Sequence, residues 1–401
     1  MKPGRVLFYL ATAELLAMAP WFSASAVAPA LAQRWTLSPG GVAWLTISVQ
    51  VGFVVGALVS ATLTLPDRWS ARRLLAGSAL LAAAATGAVA VAPSAASAVA
   101  LRFVTGACLA GVYPPGMKIV AGWFRAGRGL ALGLLVGALT IGSAGPHLVR
   151  WAVPAESWRL VLAAAAVSAV GGAVLALRVP HDGPYAAPAP PFDWRAVPRL
   201  LRDPPTLLAN AGYLGHMWEL YAMWTWIASW LVASEAARGA SDGPGARAAL
   251  LTFAVIGAGA LGSWLAGGAA DRWGRTLVTS VALAISGGCC LAAGVLFGGP
   301  LVVLVPVLLV WGVAIVADSA QFSAAVSELA PRDLVGTALT LQTSLGFLLT
   351  IATIYLLPVL ATHVGWRWVM SVLAAGPALG IWAMLALRRR PEALALAGGR
   401  R

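Results

Sequence analysis

The chain has 401 residues, of which 60% are hydrophobic and only 10% are charged, whereas soluble domains carry about 25% charged residues. This composition excludes an ordinary soluble protein and indicates a membrane protein. The formal net charge of +13 does not indicate nucleic-acid binding, because the basic residues are scattered through short loops between apolar runs instead of lining one polar face.

Twelve apolar segments are long enough to be membrane-spanning helices, which need roughly 20 residues each. The segments lack the period-two alternation of a membrane β-barrel, so the predicted fold class is an all-α membrane protein. In chain order the predicted spans cover residues 7–31, 41–65, 74–93, 97–120, 129–151, 158–178, 205–232, 248–269, 277–297, 301–328, 337–360 and 367–387.

The basic residues predict the orientation of these spans, because loops on the cytoplasmic side carry the excess of Lys and Arg. With the N-terminus inside, one arginine, Arg102, falls within a span. Six basic residues fall outside, which leaves 20 of the 27 on the cytoplasmic side; the six are Arg34, Arg150, Arg159, Arg238, Arg247 and Arg367. We therefore expect a multi-pass protein of a bacterial-type inner membrane, with both termini cytoplasmic.

A proline-rich stretch over residues 181–191 divides the chain and predicts a linker. It is followed by a basic turn that runs from Arg195 to Arg202. We expect an N-terminal six-helix bundle over residues 1–178, a cytoplasmic linker over 179–204, a C-terminal six-helix bundle over 205–387 and a cytoplasmic tail over 388–401.

The two halves share four short sequence matches in the same order, separated by 204 to 208 residues. The matches join 14–21 with 219–226, 67–69 with 271–273, 129–132 with 336–339, and 158–159 with 366–367. Because each copy has an even number of spans, the copies share one orientation. Parallel repeats of this kind place a substrate site near the bilayer midplane, where the halves meet.

The loop after the eighth predicted span resembles the loop motif of the major facilitator superfamily. Its Gly267, Asp271, Arg272, Gly274 and Arg275 match that pattern at every position. The resemblance implies twelve transmembrane helices in two pseudo-symmetric bundles, a transport function, and a role for the motif in the conformational gate.

The first half holds a degenerate copy of the same motif. It keeps Asp67, Arg68 and Arg72 but replaces the other motif positions. Arg102 with Gly106 resembles the family's second motif. A simpler interpretation of Asp271, Arg272 and Arg275 remains open, namely that these charged residues only fix the topology of the chain.

Two glutamates interrupt apolar spans, although a charge at a helix centre costs about 2.5–3.5 kcal/mol on insertion scales. Helical spacing places Glu14 on one face with Met18 and Trp21, and it places Glu219 on one face with His216, Met223 and Trp226. The family resemblance implies that the first and seventh spans line a central cavity. We therefore expect the two faces to lie opposite each other across the pathway and their glutamates to carry protons. The alternative is that each Glu only makes an interhelical hydrogen bond.

Further candidates for the pathway lie in later spans. We expect Arg102 to pair with an acidic residue or an anionic substrate, and Tyr113 to begin a helix break at the Pro-Pro-Gly that follows it. Asp318 and Gln321 form a polar patch at the position that repeats this break. Gln342 is a candidate in the eleventh span, with an ordinary interhelical bond as its alternative.

These patterns favour a secondary active transporter for a small polar or ionic solute, working by alternating access and coupled to protons. Alternatives are a drug or metabolite efflux antiporter, an anion porter of the nitrate or cyanate type, a metal-ion importer and a membrane sensor. No catalytic motif indicates an enzyme. We expect no cofactor, no metal site and no nucleic-acid partner; the expected partners are the solute, protons and the lipid bilayer, and the expected state is a monomer.

Overall fold

The computed structural model describes residues 1–125, 127–186, 190–239 and 244–401, and these residues form helices and connecting turns without a β-strand. The all-α prediction is therefore confirmed for this part of the chain. The middle of the predicted proline-rich stretch, residues 187–189, lies outside the described residues.

Ten helices are described in the first half, and in two places consecutive helices are parts of one interrupted span. They are α1 Pro3–Met18, α2 Ser23–Ala26, α3 Ala28–Trp35, α4 Pro39–Thr62, α5 Leu65–Arg68, α6 Ala71–Val89, α7 Ala95–Leu109, α8 Tyr113–Trp123, α9 Arg128–Ala152 and α10 Trp158–Leu177. The linker contributes one short helix, α11 Val197–Leu200.

The second half repeats the long helices of the first and ends in a short 3-10 segment. Its helices are α12 Pro204–Ala237, α13 Pro244–Trp273, α14 Arg275–Leu296, α15 Leu301–Ala317, α16 Ser319–Leu329, α17 Val335–Val369 and α18 Ala375–Arg388. The 3-10 segment covers Pro391–Gly399.

Four interruptions of the long helices have local causes. Pro20 lacks a backbone N–H and ends α1. The chain breaks again before Tyr113, where Pro114 and Pro115 occupy the first turn of α8, as predicted. Asp318 separates α15 from α16 at the predicted repeat of that break. In α17, Gly365 has φ +74°, a left-handed conformation that glycine adopts at little cost.

The internal repeat is confirmed at the level of helix contacts. A Cβ on Gly106 of α7 would overlap the backbone of Val49 in α4. Gly312 of α15 meets Val255 of α13 in the same way, and both of these residues stand 206 positions after their counterparts. Small residues let helix backbones approach closely in membranes, so each half uses the same glycine-based crossing.

Eight stretches of the described residues are long and apolar enough to cross a membrane. They are Pro39–Thr62, Ala95–Trp123, Gly129–Ala152, Ala155–Leu177, Gly245–Trp273, Arg275–Leu296, Leu301–Leu329 and Val335–Arg388. The last contains both α17 and α18, which a 3-10 segment over Met370–Ala374 joins, and the helical backbone is broken at Gly365 inside α17. The first, third and seventh predicted spans are absent from the set: α1 has only 16 residues before its break, α6 begins with Arg72 and Arg73, and α12 contains His216 and Glu219 among several Trp and Tyr residues, which lower its mean hydropathy. For these three the count of twelve spans stays a prediction.

Both chain ends lie on one side of the bundle, which we call the terminal face. The first turns of α1 pack with the start of α6 and the end of α8, and Arg401 lies against Gly274 at the start of α14. Gly129 at the start of α9 approaches Asp271 at the end of α13, which places these ends of the two halves on the same face. The other side is called the opposite face.

The linker and the tail both pack onto the terminal face. Asp182 accepts hydrogen bonds from the backbone N–H groups of Ala71 (2.7 Å) and Arg72 (3.1 Å) and so caps α6. Further along, Phe192 donates its N–H to Ala61 of the first half and Asp193 donates its N–H to the hydroxyl of Thr337 in the second half. The linker thus bridges the two halves.

Candidate functional site

A central cavity of about 90 Å³ lies between the two halves. Both halves contribute to it. Its lining comes from the break after α1, α4, α8 and α9 on one side and from α12, α15, α16 and α17 on the other. The lining residues include Trp21, Phe53, Tyr113, Thr140, Tyr213, His216, Tyr221, Trp224, Ser319, Ser323, Thr343 and Phe347. Aliphatic side chains, among them Val136, Leu139, Met217 and Leu220, complete the lining, so the cavity is aromatic and aliphatic with a few polar groups.

A cluster of aromatic rings closes the cavity towards the opposite face. Trp21 and Phe53 of the first half meet Tyr221 and Phe347 of the second, with ring centroids 5.7 Å apart for Trp21 with Tyr221 and 4.5 Å apart for Phe53 with Phe347. Phe22 adds a stacked contact with Tyr221. Rings at these separations attract each other beyond their area burial, so the two halves are joined at this level.

A second cavity, of about 320 Å³, leads from the centre to the terminal face. It shares Phe53, Tyr113, Ser323 and Thr343 with the central cavity. Near the terminal face its lining includes Lys118. The two cavities are thus adjacent, and the second extends towards the terminal face, where the linker residue Phe192 also lines it.

His216 lies in the wall of the central cavity. Its Nδ1 lies 2.8 Å from Oδ1 of Asp318, and its Nε2 lies 2.8 Å from Oγ of Ser319. The side chains of His216 and Asp318 are both buried. Asp318 and Ser319 stand at the break between α15 and α16, and this break places both side chains beside the imidazole of His216 on α12.

Glu14 and Glu219 do not face each other, so this prediction is wrong. The carboxylate of Glu219 accepts hydrogen bonds from Ser286 Oγ (3.0 Å), Cys290 Sγ (3.1 Å) and Trp311 Nε1 (2.5 Å), all within the second half. The Glu14 carboxyl points towards Gly116 of α8 within the first half. Neither side chain lines the central cavity. The reason is the rotation of each helix about its own axis. Each helix directs its Glu into its own bundle, and the aromatic residues on or next to it face the other bundle.

Arg102 is also placed differently from the prediction. Its guanidinium is fully buried and donates hydrogen bonds to the carbonyl oxygens of Pro20 (2.7 Å), Trp21 and Leu45 (3.2 Å), and to the Ser23 hydroxyl (3.2 Å). The break after α1 leaves carbonyl groups without helical partners, and a buried carbonyl needs one. Arg102 therefore holds the break in place, and no acidic side chain pairs with it among the described residues.

The complete loop motif of the second half is tied to α16. Arg275 forms a bidentate pair with Glu328, at 2.7 Å and 2.5 Å, and donates to Gln321 at 2.8 Å. Gln321 therefore serves this pair and does not line the central cavity. Gly274 has φ +89°, and a side chain there would overlap Arg401. Of the other motif members, Asp271 accepts a hydrogen bond on its backbone carbonyl from Arg400, and Arg272 is exposed.

In the degenerate copy of the first half, Asp67 forms an ion pair with Lys118 of α8. Arg72 donates to the Val179 carbonyl at 3.2 Å, whereas Arg68 is exposed. In both halves, then, the motif joins a loop to the second part of the interrupted span.

The remaining candidates separate into packing and interface residues. Met18 and Met223 are buried in the apolar core. Trp226 donates its ring N–H to the Ile354 carbonyl at 3.0 Å and lines a cavity near the opposite face. Gln342 is buried with neither amide atom bonded among the described residues.

Sequence reasoning missed several residues that complete these contacts. Tyr213 and Phe347 carried no motif, because aromatic residues in an apolar span resemble ordinary packing. Lys118 and Glu328 stand far along the chain from their partners Asp67 and Arg275. The pseudo-symmetric positions of the two helix breaks were the one signal that could have pointed to them.

The described residues contain no group of three His, Cys, Asp or Glu side chains placed to hold a metal ion. Metal import would need Glu14 and Glu219 together as ligands, and they are directed into different halves.

Two apolar bundles of one topology, with a cavity between them that reaches one face, define a membrane transporter. A model of the Major Facilitator Superfamily matches residues 10–354, and the chain belongs to this superfamily. Since the family consists of transporters, this supports transport over catalysis.

Comparisons with individual proteins agree on the fold. Over 157 residues the chain is 28% identical to the niacin transporter NiaP of Acinetobacter baylyi, a match that covers 39% of this chain and 35% of that protein. The solved proton:xylose symporter XylE has a TM-score of 0.74 at 15% identity and covers 96% of this chain and 95% of its own. A bacterial homologue of the human lysosomal transporter Spinster, solved in an inward-facing and occupied conformation, has a TM-score of 0.72 at 14% identity, over 97% of this chain and 98% of that one.

Proposed function

We propose that the protein is a secondary active transporter that moves a small polar or ionic solute across the plasma membrane by alternating access, coupled to protons. The arrangement of His216, Asp318 and Ser319 in the cavity wall carries this proposal. An imidazole held between a carboxylate and a hydroxyl can accept a proton and pass it on, next to the solute.

The lining of the central cavity narrows the solute class. The rings of Tyr213, Tyr221 and Phe347 offer flat apolar surfaces to a planar molecule. A protonated His216 offers a positive charge to an anionic group. A small heteroaromatic carboxylate such as nicotinate satisfies both, and the partial match to a niacin transporter supports it as the first solute to test.

The two glutamates take different parts in this proposal. The Glu219 carboxylate accepts three hydrogen bonds and so stabilises the second bundle. Glu14 is buried with both carboxyl oxygens unbonded among the described residues. An unpaired carboxylate is costly in such a place, so Glu14 carries its proton and is the second proton site after His216.

The open terminal face corresponds to the cytoplasmic side in the orientation that the basic residues favour. In this proposal the protein is in an inward-facing form, and the aromatic cluster is the closed outer gate. Rocking one half against the other would separate Trp21 and Phe53 from Tyr221 and Phe347 and open the cavity outwards.

Counterflow and uptake of labelled nicotinate in proteoliposomes test this proposal. We expect counterflow in the wild type and faster uptake under an inward proton gradient. His216→Gln and Asp318→Asn should lose at least tenfold of the gradient-driven uptake, whereas the control His363→Gln, at an exposed position of α17, should retain it. Unchanged gradient-driven uptake in His216→Gln would contradict the proton site, and the absence of nicotinate counterflow would contradict the solute class.

The glutamates provide an internal comparison in the same assay. Glu14→Gln should reduce the response to the proton gradient. Glu219→Gln should lower the thermal midpoint of the protein, because the amide nitrogen cannot accept a hydrogen bond from the donor that it would face. The molecules that remain folded should still respond to the gradient. A Glu14→Gln protein with the full gradient response would remove Glu14 from the proton pathway.

A further inference from the structure

A cavity of about 660 Å³ lies on the terminal face, where the linker enters the second half. The linker and the start of α12 line one side, and the end of α16 with the turn after it lines the other. The residues that bear on the argument are Arg195, Arg199, Arg202, Asp203, Leu329 and Pro331. The central cavity shares none of them, so this is a separate site.

The charges of this cavity are unbalanced. Three guanidinium groups line it, and none has an ion-pair partner within the part of the chain that the structure describes. Its one carboxylate, Asp203, already accepts a hydrogen bond from the N–H of Thr206 at 3.2 Å and caps α12. Free guanidinium groups that converge on one concavity bind phosphate, because their planar N–H donors match two phosphate oxygens at once.

The surroundings of the cavity suit a lipid. Trp194 is 58% exposed, Leu201 40% and Leu207 39%, so apolar side chains flank the basic groups. Tryptophan is typical of the membrane interface, and α12 starts its path through the bundle at Pro204, next to the cavity. Ala196 and Leu200 are buried on the inner side of the linker, which fixes the arginines at this level.

We propose that this cavity binds the phosphate group of an anionic phospholipid headgroup, with Arg195, Arg199 and Arg202 as the phosphate ligands. The apolar rim formed by Trp194, Leu201 and Leu207 contacts the acyl chains. The lipid anchors the linker, and the linker also bridges Ala61 of the first half and Thr337 of the second. Lipid composition would therefore influence the relative position of the halves.

Native mass spectrometry of the full chain, titrated with phosphatidylglycerol or phosphatidylcholine, tests the site. We expect at least tenfold preference for phosphatidylglycerol in the wild type. The triple variant Arg195→Gln, Arg199→Gln, Arg202→Gln should lose this preference. A matched triple variant of exposed arginines on the same face, Arg5→Gln, Arg73→Gln, Arg389→Gln, removes the same charge and should keep it within twofold.

Two further measurements keep the test decisive. The single variant Arg199→Gln guards against misfolding of the triple variant and should weaken phosphatidylglycerol binding severalfold, with an unchanged thermal midpoint in lipid-free detergent. Competition with millimolar inorganic phosphate separates the two sources of phosphate. Equal loss of lipid binding in both triple variants, or full displacement of the lipid by inorganic phosphate, would overturn the proposal.

Discussion

At the scale of single residues, the buried charges of this protein fall into two classes. Arg102 and Glu219 have their hydrogen-bonding capacity used by the fold, the first by three backbone carbonyls and a hydroxyl and the second by three donors. His216 and Asp318 bond to each other while His216 still borders the cavity. A buried polar or charged side chain is therefore not in itself a sign of the candidate transport site. Whether it still borders the cavity after its hydrogen bonds are counted is more informative.

Replacing Arg102 should strongly destabilise the protein. Hydrogen bonds to a charged group contribute about 1.5–3 kcal/mol each, and Arg102→Gln would leave carbonyls at the α1 break without partners. We expect a free energy of unfolding lower by at least about 3 kcal/mol, measured by thermal or denaturant unfolding in detergent. The exposed Arg34→Gln serves as the control and should be close to the wild type. An Arg102→Gln protein of wild-type stability that fails to bind solute would instead return Arg102 to the substrate pathway.

At the scale of elements, the two halves fasten their following segments in related ways. After α10, Asp182 caps α6, and the indole of Trp123 donates to the His181 carbonyl at 2.9 Å. After α18, the tail folds back so that Ala397 donates its N–H to Glu328 at 3.0 Å. The residues after α10 thus pack against α6, and the residues that end the chain pack against α16 and the start of α14.

Glu328 joins the tail to the loop motif, because it accepts from both Arg275 and Ala397. Glu328→Gln should release the tail and expose residues 391–401 to protease. We expect cleavage there several times faster than in the wild type, followed by mass spectrometry of the fragments. The control Glu392→Gln removes a carboxylate that pairs with Arg390 at the exposed start of the tail and should leave the rate unchanged. Equal cleavage rates in Glu328→Gln and the wild type would show that the buried Ala393 and Leu396 hold the tail without it.

At the scale of the whole molecule, the halves meet along two lines of contact. One is the aromatic cluster between α4 and α12 with α17. The other is the pair α9 and α13, where a Cβ on Gly137 would lie 3.3 Å from the Cβ of Ala260. If transport requires rocking of the halves, a covalent bond across this second line should stop it.

The double variant Gly137→Cys, Ala260→Cys should form a disulfide, since bridged Cβ atoms are about 3.8 Å apart and a small shift suffices. We expect oxidation to abolish counterflow and reduction to restore it. The control pair Gly87→Cys, Ala166→Cys, with Cβ atoms 3.7 Å apart within the first half, should form its disulfide and continue to transport. Full counterflow with the cross-half disulfide, verified by peptide mass, would argue against rocking about this line.

The sequence by itself determined the helical class, the division into two related halves and the positions of two helix breaks, at Tyr113 and Asp318; the breaks after α1 and at Gly365 were not predicted. These features depend on local composition and on repetition along one chain: apolar length, proline and glycine at breaks, and matches at a constant offset. The family resemblance rested on contiguous motif residues for the same reason.

Only the tertiary structure decided which faces of the helices meet. Glu14 and Glu219 share a face with aromatic residues on a helical wheel, yet each is turned into its own bundle, because rotation of a helix is set by packing against neighbours far away in sequence. The same holds for Arg102, whose partners Pro20 and Leu45 belong to other spans. It holds also for His216, which meets Asp318 only because α15 breaks beside it. The sequence supplied the polar residues of the site, and the packing of the helices selected which of them face the cavity.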